Sequence, residues 1–524
     1  MMRFFRRSKP TEEAQPVAVV TATGPTIERS RRIGMHLARS AMMDSARADR
    51  LTAAWPTSPI PADDIVRRNQ RPLVARSREQ AANNDYGKAF LRMVSQNVVG
   101  PDGIRLQAQT RDDNGTLDTA ANDALESAWR EWGRRENCDV AGKLSWRAIQ
   151  AQAAVSAARD GEFMIRMIYG ADAGPWGFSL QMLDPQRCPV DFDQDRVAGG
   201  GFIRHGIEFN IYGRALAYYF TTTQEGEADY HYGGRAYIRV PADEILHGFL
   251  PDLVGQKRGL PWMATALWRM HMLGGYERSA LVNARASAAK GGFFQWREGE
   301  GPEADEDEEI EMEVEPGMYR ELPAGVEVVN SHPAYPTGEL APFRKEMLRA
   351  IASGLGVSYN GLANDLEGVN YSSIRQGALD EREHWKELQE WLIEALAEPV
   401  FMRWLRLSLL SGKIVLAKGG RLKPERLDKY TAVAWQGRRW AWIDPSADVK
   451  AAIDGKAAGL STSSQFIRDS GRDPQDVFRE LAADIQMMTA AGLPQWFIEQ
   501  ALGKKPAAPA KPGEPPADTQ GNPQ

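Results

Sequence analysis

The sequence predicts an α+β fold divided among several domains. Three observations carry that prediction. A length of 524 residues exceeds what one hydrophobic core serves. An early block passes from helical periodicity to strand-like runs, and a later block of long helical patterns is interrupted by one acidic insert. An apolar fraction of 43% with 26% charge is that of an ordinary globular chain. No apolar run nears the ~20 residues that cross a bilayer, and Met1 to Pro10 has a basic flank without the apolar core of a secretory signal.

Residues 1–30, rich in Pro, Thr, Glu and Arg, predict a mobile arm. Helical patterns follow over Ala81–Val99, Ala120–Trp132 and Trp146–Arg159. Strand-like runs come next at Phe163–Tyr169, Phe178–Leu183 and Ala215–Phe220, with Asn210-Ile-Tyr-Gly-Arg214 placed to turn a hairpin. Trp262–Lys290 reads as a long helix in which Gly274-Gly275 marks a weak point or bend, and Ala280, Ala284 and Ala288 give it a small-residue face. Residues 292–338 interrupt with Gly, Pro, acid and short strand signals such as Gly325–Val329. Arg375–Leu410 is a second long helix that Pro399 should kink or split. A small helical module spans about 425–502, and the Pro/Ala-rich tail beyond it predicts disorder.

Charge is uneven. Residues 1–80 carry fifteen Lys/Arg against eight Asp/Glu, whereas 303–315 carry nine carboxylates and no base. Such a run is a solvated loop before it is a cation site. With a net charge of −6, the chain does not look like a sequence-specific DNA binder, and any contact with nucleic acid should be loose. The stretch from Arg29 to Arg78 suits subunit contacts and solvated surface better than phosphate. The tryptophans read as core or interface anchors, and only Arg438-Arg-Trp440 offers a local base-stacking arrangement.

Catalytic signatures fail one after another. The Gly-Lys pairs at 87, 142, 412, 455 and 503 all lack the following Ser or Thr of a phosphate-binding loop. The histidines at 36, 205, 231, 247, 271, 332 and 384 have no zinc-ligand spacing, and no G-x-S-x-G elbow occurs. Cys138 and Cys188 read as inert thiols, His247 as a partly buried group at a strand end, and Asp160-Gly161-Glu162 and Asp184-Pro185 as turns bounding strands. The sequence therefore predicts no enzyme, no metal and no cofactor.

The most informative tract is Pro342–Val357 with Asn370-Tyr-Ser-Ser-Ile-Arg375 after it. Phe343, Met347 and Ile351, with Leu348 and Leu355 beside them, make one apolar helix face. Gly354 and Gly356 stop that helix, and Ser372 or Ser373 is placed to cap the next. This tract resembles the lambda-type family of phage portal proteins. Other features agree in order: Trp55-Pro56, Asn83-Asn84, Asn97-Val-Val-Gly100, Trp129 and Trp132, Asp160-Gly-Glu162, Leu183-Asp-Pro185, Gly255-Gln-Lys-Arg-Gly-Leu-Pro261 and Trp442-Ile-Asp-Pro445. The insert at 292–338 departs most, being unusually acidic.

The resemblance implies a portal fold: an α/β wing, long stem helices, a small α/β clip and a helical crown. On this chain it implies a mobile arm at 1–30, wing at 31–260, first stem helix at 261–291 and clip at 292–338. The second stem helix follows at 339–357, the tunnel-loop region at 358–374, the long wing helix and its return at 375–424, the crown at 425–502 and a disordered tail at 503–524. It implies a ring, usually of twelve copies, at one capsid vertex of a virion assembled in the host cytoplasm. Its implied partners are double-stranded DNA bound without sequence preference, the terminase large subunit, major capsid protein or scaffold, and head-completion or tail adaptor proteins, with no membrane. Candidates for the DNA channel are Arg278, Arg285, Lys290, Asn370, Ser372, Ser373 and Arg375, although Arg285 serves equally well as a bridge between subunits. Clip candidates for docking terminase or adaptor are Glu306, Glu308, Glu309, Tyr319 and Arg320. The competing readings are a DNA-processing enzyme of the packaging apparatus and a scaffold that forms no ring.

Overall fold

The structure is a computed structural model describing residues 50, 54, 56–197, 199–221, 237–288, 292–296, 326–330, 340–368, 370–440 and 445–501. It divides into residues 1–60 and 61–524. The described part of the first unit is turn and coil, and the elements below all lie in the second.

Pro61 leads into α1 (Ala62–Asn83), whose first turn carries Asp63 and Asp64 at the positive end of the helix dipole. Asn84 then leaves helical geometry and its side chain accepts from the amides of Tyr86 and Gly87, starting α2 (Asp85–Val94). The single helix read over Ala81–Val99 is thus a cap-and-restart, followed by a π-turn at Ser95–Val99. Strand β1 (Arg105–Ala108), α3 (Thr119–Trp132), the short α4 (Arg135–Cys138) and α5 (Trp146–Asp160) follow. Asp118 and Ser145 cap α3 and α5, which begin and end within a residue of the expected limits.

The strand region is antiparallel. Strands β2 (Glu162–Tyr169), β3 (Phe178–Leu183), β4 (Phe202–Arg204), β5 (Ile207–Phe209), β6 (Ala215–Thr221), β7 (Tyr237–Pro241) and β8 (Ile245–Phe249) form two sheets, ordered β3-β2-β8 and β4-β5-β6-β7. Alternation along β2 serves two cores: Phe163, Ile165 and Met167 join the main one, whereas Met164 joins a smaller one with Leu183, Phe209 and Phe220. The expected hairpin at 210–214 forms, with the Asn210 amide donating to the Arg214 carbonyl at 2.9 Å and the Asn210 side chain accepting from Tyr212 and Arg214. A tighter turn was not foreseen: His205 (φ 54°) and Gly206 (φ 78°) join β4 to β5.

Helix α6 (Leu267–Ala288) runs unbroken through Gly274-Gly275. Strands β9 (Gly292–Trp296) and β10 (Val326–Asn330) pair antiparallel. Helices α7 (Leu340–Leu355), α8 (Tyr359–Ala363) and α9 (Tyr371–Leu392) follow. A π-turn, Ile393–Ala397, joins α9 to α10 (Glu398–Leu410). Pro399 therefore falls in the first turn of a new helix, where its missing N–H costs little. Short α11 (Leu427–Tyr430), strand β11 (Val433–Gln436) and helices α12 (Pro445–Ala457), α13 (Ser463–Asp469), α14 (Pro474–Ala490) and α15 (Gln495–Ala501) complete the order.

Tryptophans build the centre of the main core. Trp129 lies 4.7 Å from Trp132, 5.0 Å from Trp404, 5.5 Å from Trp146 and 6.2 Å from Trp435 between ring centroids, which ties α3, α5, α10 and β11 together. The C-terminal helical region is consequently not a detached module at its start. β11 pairs with β1, and Asn97 on the first π-turn accepts from Trp440 at 3.1 Å and Arg438 at 3.0 Å, while its carbonyl accepts from Gln389 at 2.8 Å.

A second tie joins α3 to α14, where Arg479 pairs with Asp123 at 2.6 Å. Beside it, burial pushes the Glu126 carboxyl up to about 7, with Asp473, Asp476 and Asp123 adding repulsion. The folded state therefore holds this proton more tightly than the unfolded chain, and stability falls as pH rises from the ordinary carboxyl range through about 7. Glu126→Gln, which keeps the acceptor for the Ala108 amide, should raise the melting temperature by about 2–4 °C at pH 8 and leave it unchanged at pH 4. Equal shifts at both pH values would reject this account.

Candidate functional site

The tract that carries the channel expectation is built from α6, α7 and the 356–375 segment. Leu267, Met270 and Leu273 sink the first half of α6 into the core with Met263 and Ala266 before it. From Gly274 to Arg285 no residue is buried. Thr265 Oγ1 donates to the Gly354 carbonyl at 3.0 Å at one end, and the Tyr276 and Phe343 rings meet edge-on at 5.3 Å farther along. α7 thus runs antiparallel to α6. Its buried row is Leu348, Ile351, Ala352 and Leu355, while Phe343, expected on the same apolar face, stays half exposed against Tyr276.

Arg278, Leu281, Val282 and Arg285 recur at three- and four-residue spacing and share one face of α6. All four are exposed, Leu281 at 64% and Val282 at 59%. No element among the described residues covers them. Lys290 lies outside the described residues, as do the clip candidates Glu306, Glu308, Glu309, Tyr319 and Arg320, which fall between the paired ends of β9 and β10.

α7 ends in a Schellman turn. The Val357 amide donates to the Ala352 carbonyl at 3.1 Å, and Gly356 takes φ 69°, the left-handed conformation such a stop requires. The segment read as a polar loop then contains α8, capped by Ser358 and ended by Asn364 at φ 51°. Tyr359 fastens it to α7: its hydroxyl donates to Asp365 at 2.6 Å, and Lys345 and Arg349 lie over its ring at 5.8 and 5.7 Å. One expectation is corrected here. α9 begins at Tyr371, so Ser372 and Ser373 stand within its first turn and cannot be its N-cap. Asn370 is exposed just before the helix, and Arg375 is half buried in its second turn.

Behind this region lies a buried charged cluster that the turn readings of Asp160-Gly161-Glu162 missed. Gly161 does end α5 in a left-handed turn, but Glu162 is fully buried against the equally buried Arg258. Arg258 Nη2 reaches Oε1 of Glu162 at 2.6 Å, and Nε meets both carboxylate oxygens at 2.9 Å. His247 Nε2 donates to Oε2 at 2.8 Å, from the middle of β8 and not from its end. The remaining Arg258 donors close on the carbonyls of Cys188, His205 and Pro185. Burial favours the neutral carboxyl, but Arg258 and His247 outweigh it and hold Glu162 at about 2. The cluster locks the 255–261 turn, from which α6 is launched, onto β2 and β8.

Arg78, assigned to subunit contacts or solvated surface, is instead an internal clasp, gripping Asp160 at 2.8 Å and Asp184 at 2.7 Å. Arg67 likewise pairs with Asp193. Cys138 and Cys188 are free and buried, and burial pushes their thiols up to about 12 and about 11, so neither is a thiolate near neutrality. Trp440 does not form a stacking platform: Arg382 and Arg438 lie over its ring at 5.8 and 5.9 Å.

The family model described as phage portal protein, lambda family, matches residues 48–389. The chain belongs to the lambda family of phage portal proteins. Among portal relatives, the probable portal protein of Halomonas phage phiHAP-1 is 32% identical over 458 residues, covering 86% of this chain and 87% of that one. Portal protein B of Escherichia phage lambda is 23% identical over 412 residues, covering 71% and 75%. The portal protein of Escherichia phage N15 is 23% identical over 463 residues, covering 80% and 86%. A solved neck of a native gene transfer agent particle, computed with C12 symmetry, aligns at 14% identity and TM-score 0.41 over 77% of this chain and 94% of that chain. Within the portal-family match lie Asn97, Glu162, Arg258 and the 351–357 turn. Four of the sequence features that carried the resemblance therefore make a π-turn hub, a buried ion pair between two of them, and a Schellman stop.

Proposed function

We propose that copies of this portal-family chain, twelve in number, close head to tail into the head–tail connector ring at one capsid vertex, and that duplex DNA enters and leaves through its lumen. In this reading α6 and α7 are the stem helices, 292–338 the clip, 358–374 the tunnel-loop region and 425–502 the crown. The observation that carries it is the uncovered α6 face of Arg278, Leu281, Val282 and Arg285. Two exposed aliphatic residues between two arginines suit a neighbouring helix of the next copy, with a lumen alongside. Ring closure follows when the rotation between neighbours closes.

A channel must let duplex slide, and every phosphate contact adds affinity and therefore drag. A charge of −6 per copy keeps that attraction low. A few groups then centre the duplex, for which Arg278, Arg285, Lys290, Asn370, Ser372, Ser373 and Arg375 are the candidates. Terminase and adaptor docking falls to the clip, through Glu306, Glu308, Glu309, Tyr319 and Arg320. Capsid protein or scaffold would meet the ring's outer surface.

The purified protein should show rings with a central hole by electron microscopy. The double substitution Leu281→Asp/Val282→Asp should abolish them, because an uncompensated charge buried at the contact costs about 3–5 kcal/mol, while the monomer's melting curve stays unchanged. A wild type that remains monomeric under assembly conditions, or that cuts DNA unaided, overturns the reading. So does a double variant that still forms rings.

A further inference from the structure

A cleft of about 270 Å³ opens between the turn after the first π-turn (Val99–Arg105), the Gly437-Arg438-Arg439 segment and Ser470-Gly471. Arg105, Arg438 and Arg439 line it against a single carboxylate, Asp102, which pairs with Arg105 at 2.8 Å. Arg438 is half buried and gives its hydrogen bonds to neutral acceptors, the Gln96 carbonyl and Asn97 Oδ1, so its charge is not compensated there. Arg439 is also half buried. Its Nε is shielded from solvent and meets no acceptor among the described residues. A buried guanidinium N–H without a partner is costly, and two uncompensated cations in one small cleft add mutual repulsion. Burial, with Arg382 nearby, already disfavours the charged form of Arg438.

We propose that this cleft binds a phosphate-type dianion, held by the Arg438 and Arg439 guanidinium groups with Arg105 closing one side. A ligand of about two negative charges balances two arginines that pair with no carboxylate among the described residues, which a single carboxylate does not, and forked guanidinium donors match phosphate oxygens. Recognition is by charge and guanidinium hydrogen bonds without base stacking, since two arginines, Arg382 and Arg438, already lie over the Trp440 ring. The two charges can come from a free phosphate or from two successive phosphodiesters of a nucleic-acid backbone, each of which carries one, and the site does not depend on ring closure.

Calorimetric titration of the full-length protein at low salt with sodium pyrophosphate tests this. Wild type should bind saturably, Arg439→Glu should weaken binding at least about tenfold, and Arg439→Lys, which keeps the charge but not the fork, should lose less than Arg439→Gln. Arg439→Gln, which removes the charge without reversing it, should fall between, and covers the case in which Arg439→Glu does not fold. Displacement of pyrophosphate by a short DNA duplex assigns the phosphate to a nucleic-acid backbone, and failure to displace assigns it to a small phosphate. Binding that is absent in wild type, or equal in Arg439→Gln, overturns the proposal. So does equal displacement by a synthetic peptide of residues 303–315, which would make the cleft a carboxylate site.

Discussion

Arg258→Met should destabilise the protein by about 3–5 kcal/mol, as expected when one partner of a buried ion pair is removed. The reason is what would be left behind. Glu162 would keep a charge with no access to water, and the carbonyls of Pro185, Cys188 and His205 would each lose a donor. The hydrogen bonds Glu162 accepts from Gln70, His247 and the Gly259 amide do not supply the missing positive charge of a guanidinium. Chemical denaturation measures the loss. Arg258→Met/Glu162→Gln should lose less than Arg258→Met alone, because the second change removes the stranded carboxylate. A single-variant cost below about 1 kcal/mol would mean the pair does not hold the 255–261 turn.

The same pair gives stability a pH dependence. Glu162 sits at about 2 when folded against 4.5 for the ordinary group. A depressed carboxyl stabilises the folded state fully above the unfolded value, and the contribution fades as pH falls toward 2. Glu126 acts in the opposite direction over a higher window, so acidification relieves one carboxylate before it titrates the other.

Local pattern made most of the secondary structure legible. The limits of α3, α5, β2, β3 and β6 were within one residue of those read from periodicity, because each spans one or more repeats of its own hydrophobic pattern. Elements fixed by distant partners were not legible. Glu162 and Arg258 are 96 residues apart, so the first looked like a turn acid and the second was legible only as part of the Gly255–Pro261 segment that carried the family resemblance. β1 (Arg105–Ala108) and β11 (Val433–Gln436) pair although most of the chain lies between them, which is why Trp435 was placed in a separate module. His205-Gly206 lacked the Asn-Gly or Asp-Gly pair by which such turns are recognised. Ser372 and Ser373 looked like caps because their residue type suits that role, but α9 begins one residue before them. Of the channel candidates, the structure brings Arg278 and Arg285 to one exposed face. That grouping was available from their seven-residue spacing alone, with Leu281 and Val282 between them as the missed signal.

Gly259→Ala should cost on the order of 3 kcal/mol or more, an unusually large effect for one added methyl. A Cβ at this position would stand 2.0 Å from the Gly161 carbonyl oxygen and 2.8 Å from Phe249 Cβ. The first obstacle is backbone, so no rotamer change relieves it. Moving the 255–261 turn away would break the bond from the Gly259 amide to Glu162 at 3.0 Å and draw Arg258 off the carboxylate. Strain and electrostatics therefore fail together, and the variant should lose cooperative unfolding near its most buried charges. Gly275→Ala is the matched control. It lies within α6 with nothing inside 4 Å of the added methyl, and a helical Gly-to-Ala change stabilises by about 0.5–1 kcal/mol. Opposite signs from the same chemical change, read by denaturation of the monomer, isolate close backbone approach as the cause. A neutral Gly259→Ala would show that the turn and β2 can separate without loss, and the rigid launch point assigned to α6 would go with it.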